Sequence, residues 1–400
     1  MKEKFPFLIA GEKEIKEGKT TDIYFLRTKK ILEKRNIRKR VWAEFTTSSK
    51  LYPYFTFAGI REAAKLLEGK KVNLWALKEG TIFPSEDING VLLPVAAIEG
   101  EYIEFCEFET PVLGFLSHAS GILTKAVRLR KAAEDKLCLS FGIRRMHPAL
   151  APFIDFYAFM GGCDGVSSIA GSDAINETPK GTMPHALIIL MGEEEAWKAF
   201  DEEMPPDVPR IALVDTYGDE KIQAIRATEI FENLKGIRLD TPGSRKGDMT
   251  KIVQEIKWEL KIRGKEDVMV FISGGLDEYE VKRLREKGAD GFGVGTNLSN
   301  AKTIDYAMDI VEVEGKFCAK KGKFGGRKKP FYCAKDKVFI VKGFEEEKSI
   351  CPCCGETMEN LFVQYIKDGK IIYNFEDVKK VRERIIENLK NFSYEELGIQ

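Results

Sequence analysis

The sequence predicts an α/β protein: an irregular TIM-like α/β barrel, preceded by an N-terminal α+β domain and followed by a small cysteine-bearing C-terminal domain. Three observations predict it. Between residues 137 and 300 short β-rich runs alternate with helical stretches, which implies a parallel sheet. These runs end in small or polar residues, the texture of barrel strands whose following loops form an active face. Beyond residue 312 the chain becomes strongly basic and carries five of its eight cysteines. The expected division is 1–112, 113–300 and 301–400, with an open doubly wound sheet as the alternative to the barrel.

Size and composition bound the possibilities. Four hundred residues exceed one ordinary core and point to two or three domains. Lys plus Arg and Asp plus Glu both number 63, so whole-chain charge selects no partner. Charged residues make up 32%, a bias reported for heat-adapted proteins. No apolar run has the length of a membrane span and the N-terminus lacks a signal-peptide pattern, so the expected location is cytoplasmic. Thiols stay reduced there, which leaves the cysteines as core residues, metal ligands or nucleophiles.

Taken in order, "TTDIYFLRTKKILEKR" reads as a helix capped by Thr20 or Thr21, with Asp22 in its first turn and Ile23, Leu26, Ile31 and Leu32 as its apolar positions. Residues 85–116 read as short strands that lead into a helix around 112–133. Six runs then follow: "LCLSFGIRR", "GGCDGVSSIAG", "RIALVDTYGD", "GIRLDTPGSR", "DVMVFISGG" and "GADGFGVGT". Residues 301–312 read as a helix leaving the barrel, and "DVKKVRERIIENLKNFSYEEL" as a charged amphipathic helix.

The run ends carry the candidate chemistry. "SGGLDEYEV" and "GFGVGTNLS" are successive glycine-rich turns. Glycine lets backbone N–H groups close on a phosphate, and barrels recurrently hold phosphate in the loops after their last two strands. The named donors are Gly274, Gly275, Gly295 and Thr296. Arg144, Arg145 and Arg238 are suited to carboxylate or phosphate. Asp164, Asp215, Asp219 and Asp240, with Tyr217, can hold Mg²⁺ or ribose hydroxyls. His185 is one of three histidines and stands at the mouth of an apolar run, either as a helix-start residue or as a reactive nitrogen.

These segments resemble the nicotinate phosphoribosyltransferases and, more distantly, the nicotinamide and quinolinate enzymes of the same type II barrel family. The resemblance rests on "TTDIYFLRT", "SFGIRR", "GGCDGVSS", "GTMPHAL", "VDTYGDE" and "GIRLDTPG", in that order from about residue 20 to 300. It implies attack of nicotinate on C1 of phosphoribosyl pyrophosphate through an oxocarbenium-like transition state, with Mg²⁺ on the leaving pyrophosphate. It further implies that Phe141 stacks on the pyridine ring. Tyr24 would close the other face from the partner subunit of a homodimer with shared active sites. Arg144, Arg145 and Arg238 would lie near base, ribose and diphosphate, and Asp164 and Asp240 would orient base and sugar. ATP would phosphorylate His185. This chain has Met183-Pro184 before that histidine and Ala186 after it, where the family pattern ends in Ser. His118 and His147 are expected to be structural.

The remaining cysteines have their own pattern. Cys351 and Cys354 have C-x-x-C spacing with Gly355 behind them, and Cys318 and Cys333 can complete four thiolates around structural Zn²⁺ in a small C-terminal zinc-binding domain. Cys353 is a substitute ligand. The basic stretch between the first pair carries Phe324, Phe331 and Tyr332, so a zinc-ribbon nucleic-acid module is the rival reading from another class; a solvated lobe without nucleic acid is the favoured one.

Overall fold

The computed structural model describes residues 7–245 and 247–399. The chain folds into two compact units. Residues up to 124 form one together with 302–384 and 396–398; residues 125–301 and 385–395, with 399, form the other. The boundary falls inside the 25-residue helix Glu109–Ala133. No helix among the described residues is long and apolar enough to cross a membrane.

The first unit is organised by a seven-stranded sheet. Its order is Lys316–Phe317, Tyr306–Val313, Arg40–Thr47, Ala96–Glu101, Val72–Ala76, Val363–Lys367 and Lys370–Ile371. Residues from both halves of the chain therefore share one sheet, and the C-terminal quarter is not the separate region expected from residue 301. The expected 301–312 helix is likewise replaced. Residues Tyr306–Val313 form a strand, antiparallel to Arg40–Thr47, with Phe45 opposite Met308 and Val41 opposite Val313. A β-partner of eight residues overrides the local helical texture. Trp42, Phe45, Ile98 and the helix Ile60–Leu67 bury their apolar faces in a common core. The helix Ile23–Lys34 has Asp22 at its N-cap, where Thr20 or Thr21 was expected to cap it with Asp22 in the first turn, and it buries only Phe25. Ile23, Leu26 and Ile31 are exposed.

The second unit holds six parallel strands in the order Gly165–Val166, Leu137–Ser140, Gly291–Val294, Met269–Ser273, Gly236–Leu239 and Ile211–Leu213. That is the chain order of a ring, cut at one place. Among the described residues no ladder joins Gly165–Val166 to Ile211–Leu213, so the hydrogen-bonded ring of the expected irregular TIM-like barrel is interrupted there. The local reason is visible at the cut. The Lys180 N–H donates to Val166 O at 2.8 Å, and the Lys180 side chain fills the space beside Gly165, whose added Cβ would lie 2.5 Å from Lys180 Cγ. A loop occupies the edge that the neighbouring strand would need. Helices alternate with the strands, including Ala151–Met160, Ile169–Ile175, Glu220–Ile230, Met249–Ile262 and Glu278–Arg285. Val270, Phe271 and Ile272 of the central strand are buried, as parallel strands covered on both faces must be.

Candidate active site

Parallel strands deliver their carboxyl ends to one rim, and in this unit a cleft of about 190 Å³, open to solvent, lies there. It is lined by Phe141, Arg144, Arg145, Arg238, Asp240, Ser273, Gly274, Gly275, Gly293, Gly295 and Thr296. Nine of these are sequence-derived candidates, contributed by four different strand ends. Ser273 and Gly293 are additions. Neither carries a motif; each is placed only by its strand register, Ser273 opposite Gly293.

Glycines set the shape of the cleft. Gly274 and Gly275 have φ of 92° and 73°, a left-handed conformation that glycine adopts without steric cost. Gly293 makes room for an aromatic side chain: a Cβ there would sit 2.5 Å from Phe141 Cδ2. Phe141 follows its strand directly, donates its N–H to Val294 O at 2.8 Å, and packs its ring 5.9 Å from that of Phe271. A half-buried aromatic ring lining a cleft can serve as a stacking platform. The turn Ile143–Arg145 then exposes both arginines.

Opposite the platform, hydrogen bonds and close polar contacts join His185, Asp215, Arg238 and Asp240. Arg238 is buried; its Nη2 donates to Asp240 Oδ2 at 3.1 Å, its Nη1 bonds Thr182 Oγ1, and its Nε has no partner. Asp240 Oδ1 accepts from Ser273 Oγ at 2.8 Å. Asp215 Oδ2 accepts from the Asp240 N–H and from Thr241 Oγ1, while its Oδ1 is buried without a hydrogen-bond partner. Burial pushes the Asp215 carboxyl above its usual range, against the pull of Thr241, the Asp240 amide and His185. His185 opens the helix His185–Met191. Its Nδ1 meets Thr216 Oγ1 at 3.0 Å, and its Nε2 lies 3.6 Å from Asp240 Oδ2 and 4.0 Å from Asp215 Oδ1. Thr216 and Thr241, which aim these groups, fall in "VDTYG" and "LDTPG"; reading those strings for a hydroxyl beside each aspartate would have found them.

Other candidates lie elsewhere: Asp219 caps the helix Glu220–Ile230 and Tyr217 is exposed, neither lining the cleft. Asp164 precedes the strand Gly165–Val166 and so stands at its amino end, away from the rim. Its carboxylate accepts the Cys138 N–H at 2.9 Å and pairs with Arg130 at 2.8 Å. That fixes a structural role and corrects its assignment to base and sugar. Tyr24 belongs to the first unit, exposed, with its hydroxyl 3.5 Å from Asp22. His147 accepts the Ala149 N–H at the start of a short turn, and burial pulls the His118 imidazole below its usual pKa.

The cysteine group also differs from expectation. Cys333, Cys351 and Cys354 come together with Asp336, their ligand atoms all within 4.8 Å of one another. Cys318 is exposed and outside the group. Its N–H is bonded to Val311 at the edge of the seven-stranded sheet, whereas Cys333 ends a strand of the three-stranded sheet Val338–Gly343, Lys328–Cys333 and Glu359–Asn360. Cys333-x-x-Asp336 mirrors Cys351-x-x-Cys354, a spacing signal missed because only thiols were counted. The basic stretch near it is largely neutralised within the fold. Lys320 and Lys323 pair with Asp309, Arg327 with Glu99 and Glu312, and Lys328 with Glu44.

Family models match both parts of this geometry. Residues 22–120 match the N-terminal domain of quinolinate phosphoribosyl transferase and residues 122–309 its C-terminal domain. A solved structure from Pyrococcus furiosus, a nicotinate-nucleotide pyrophosphorylase, is 49% identical, covers 97% of this chain and 98% of its own, and superposes with a TM-score of 0.92. The nicotinate phosphoribosyltransferase pncB2 of Mycobacterium tuberculosis is 30% identical over 284 residues, 67% of this chain and 58% of that protein. The nicotinate phosphoribosyltransferase of Bacillus subtilis is 30% identical over 256 residues, 60% of this chain and 50% of its own. The chain thus spans between half and three-fifths of the length of these curated relatives.

Proposed function

The chain belongs to the quinolinate phosphoribosyl transferase family, and from that premise we propose that it joins nicotinate to phosphoribosyl pyrophosphate, giving nicotinate mononucleotide and pyrophosphate. The single observation that carries the reading is the cleft in which one aromatic platform, three arginines and two glycine turns share one rim. A pyridine ring stacks on Phe141, and Arg144 and Arg145 take its carboxylate or the substrate's phosphates. Gly274, Gly275, Gly295 and Thr296 receive the 5-phosphate through backbone N–H groups. Arg238 and Asp240, already bonded to each other, orient the ribose hydroxyls. The pyridine nitrogen then attacks C1 as the C1–O bond to pyrophosphate breaks. No proton transfer is needed, so positioning and charge balance supply the catalysis.

Asp215 and Asp240 are the residues that would hold Mg²⁺, and the unpartnered Asp215 Oδ1 suits a hard, oxygen-seeking cation. When bound, that ion would neutralise charge on the departing pyrophosphate. ATP is the expected co-substrate: His185 attacks its terminal phosphorus, forming an N–P bond as ADP leaves, and water later releases phosphate. Tyr24 is assigned to the facing site of a homodimer. Zn²⁺ in a structural role fits the three sulfurs and one carboxylate of Cys333, Asp336, Cys351 and Cys354, a donor set zinc accepts tetrahedrally.

Quinolinate is the second reading, favoured by the name of the matching family models. One experiment separates them. The protein is assayed with phosphoribosyl pyrophosphate and Mg²⁺ on nicotinate, nicotinamide and quinolinate, with and without ATP. Nicotinate turnover without CO₂ release, stimulated by ATP, is expected. Turnover confined to quinolinate with CO₂ release would replace the first reading by the second.

A further inference from the structure

The residue before the aromatic platform is bonded to a carboxylate that the reaction above does not use. Asp155 is fully buried in the apolar helix Ala151–Met160, and no cation pairs with it among the described residues. Its Oδ1 accepts from Ser140 Oγ at 2.8 Å and its Oδ2 from Ser168 Oγ. Ser140 is the last residue of the strand Leu137–Ser140, directly before Phe141. Ser168 caps the helix Ile169–Ile175 by accepting the Gly171 N–H at 2.9 Å. The fit is close enough to exclude a side chain at Gly171, whose Cβ would overlap Asp155 Oδ2. Burying a carboxylate that is hydrogen-bonded by Ser140 and Ser168 but paired with no cation costs stability, so an apolar residue would serve folding better. What the carboxylate achieves is a fixed bridge between two neighbouring strand ends.

We propose that Asp155 is a positioning residue for base binding: through Ser140 it fixes the backbone that presents Phe141 to the pyridine ring. The inference rests on the phosphoribosyltransferase reading and deepens it. Any change in the bridge reaches Phe141 first, because Ser140 is covalently adjacent to it. Phe141 is otherwise held to the sheet by the Val294 hydrogen bond, the room left at Gly293 and the Phe271 ring. The glycine turns at residues 274–275 and 295 follow other strands.

The test measures KM for the pyridine base and for phosphoribosyl pyrophosphate separately. Ser140→Ala and Asp155→Ala are expected to raise the base KM by about five- to tenfold, the scale of one lost oriented hydrogen bond, with the phosphoribosyl pyrophosphate KM within about twofold. Asp155→Asn keeps the shape and can bond both serines, so it should restore most of the base affinity. If Asp155→Ala does not fold, Ser140→Ala decides alone. An unchanged base KM in Ser140→Ala, or a rise shared equally by both substrates, overturns the proposal. A wild type that turns over no pyridine base defeats the family reading itself, and this inference with it.

Discussion

His185 and Asp240 meet at the rim of the cleft, Nε2 to Oδ2 at 3.6 Å, and the same Oδ2 takes the Arg238 guanidinium at 3.1 Å. One carboxylate oxygen therefore faces both the imidazole assigned to ATP and the arginine assigned to the sugar. The two halves of the proposed reaction are then adjacent but separable. His185→Ala should abolish ATP stimulation while leaving basal transfer, because the platform, the arginines and the glycine turns do not depend on the imidazole. Assays with and without ATP check this; an undiminished ATP effect in the variant refutes the role.

Gly142 is a test of how tightly the arginine turn is seated. A Cβ there would lie 2.6 Å from Gly295 O and 2.7 Å from Ser299 Cβ, and backbone cannot yield as a flexible side chain can. Gly142→Ala should cost about 1–3 kcal/mol of stability by overpacking, read from denaturant midpoints. It should also raise the KM of both substrates, since it pushes the Phe141–Arg145 turn away from the Gly295–Thr296 turn. A variant with wild-type stability would mean that the two turns can part freely.

Acid stability should report on Glu278. Its side chain is 1% exposed and is held by Lys125 Nζ at 2.6 Å and Arg128 Nε at 2.7 Å. Burial alone would raise its pKa, but Lys125 and Arg128 outweigh burial and hold the carboxyl below the usual range. The folded pKa is depressed, so the stabilisation is present above the unfolded-state value and is lost as pH falls through the folded one. Glu278→Ala should cost about 3–5 kcal/mol at neutral pH, because the buried Arg128 and the half-buried Lys125 lose the carboxylate they share. The difference from wild type should shrink in acid below the ordinary carboxylate range. A pH-independent difference in melting temperature would contradict this account.

Metal removal should act on stability, not on chemistry. The ligand set Cys333, Asp336, Cys351 and Cys354 leaves no protein position open on a tetrahedral ion. Cys351→Ser should lose metal on dialysis against a chelator and melt at a lower temperature. Cys318→Ser should keep a full equivalent, since Cys318 stands outside the group. Metal content by mass spectrometry distinguishes the two; equal loss from both variants would restore Cys318 as a ligand.

Which strand ends bear chemistry could be read from the residues alone. Phe141, Arg144, Arg238, Gly274 and Gly295 are legible because each lies in or just after a short apolar run, and strand–loop alternation is a local signal. The C-x-x-C half of the cysteine and aspartate cluster was legible in the same way. Any property set by partners distant in the chain was not. Asp164 and Asp240 look alike in the sequence, yet one precedes its strand and pairs with Arg130, while the other follows its strand and lines the cleft. Tyr306–Val313 became a strand because Arg40–Thr47 lies beside it, Asp336 joined the cysteines by a turn between two strands, and Lys180 took the edge that would have closed the ring. Side-chain chemistry and local periodicity are written residue by residue; strand pairing, and with it the end of the sheet to which each carboxylate is delivered, is decided when segments far apart in the chain compete for the same hydrogen bonds.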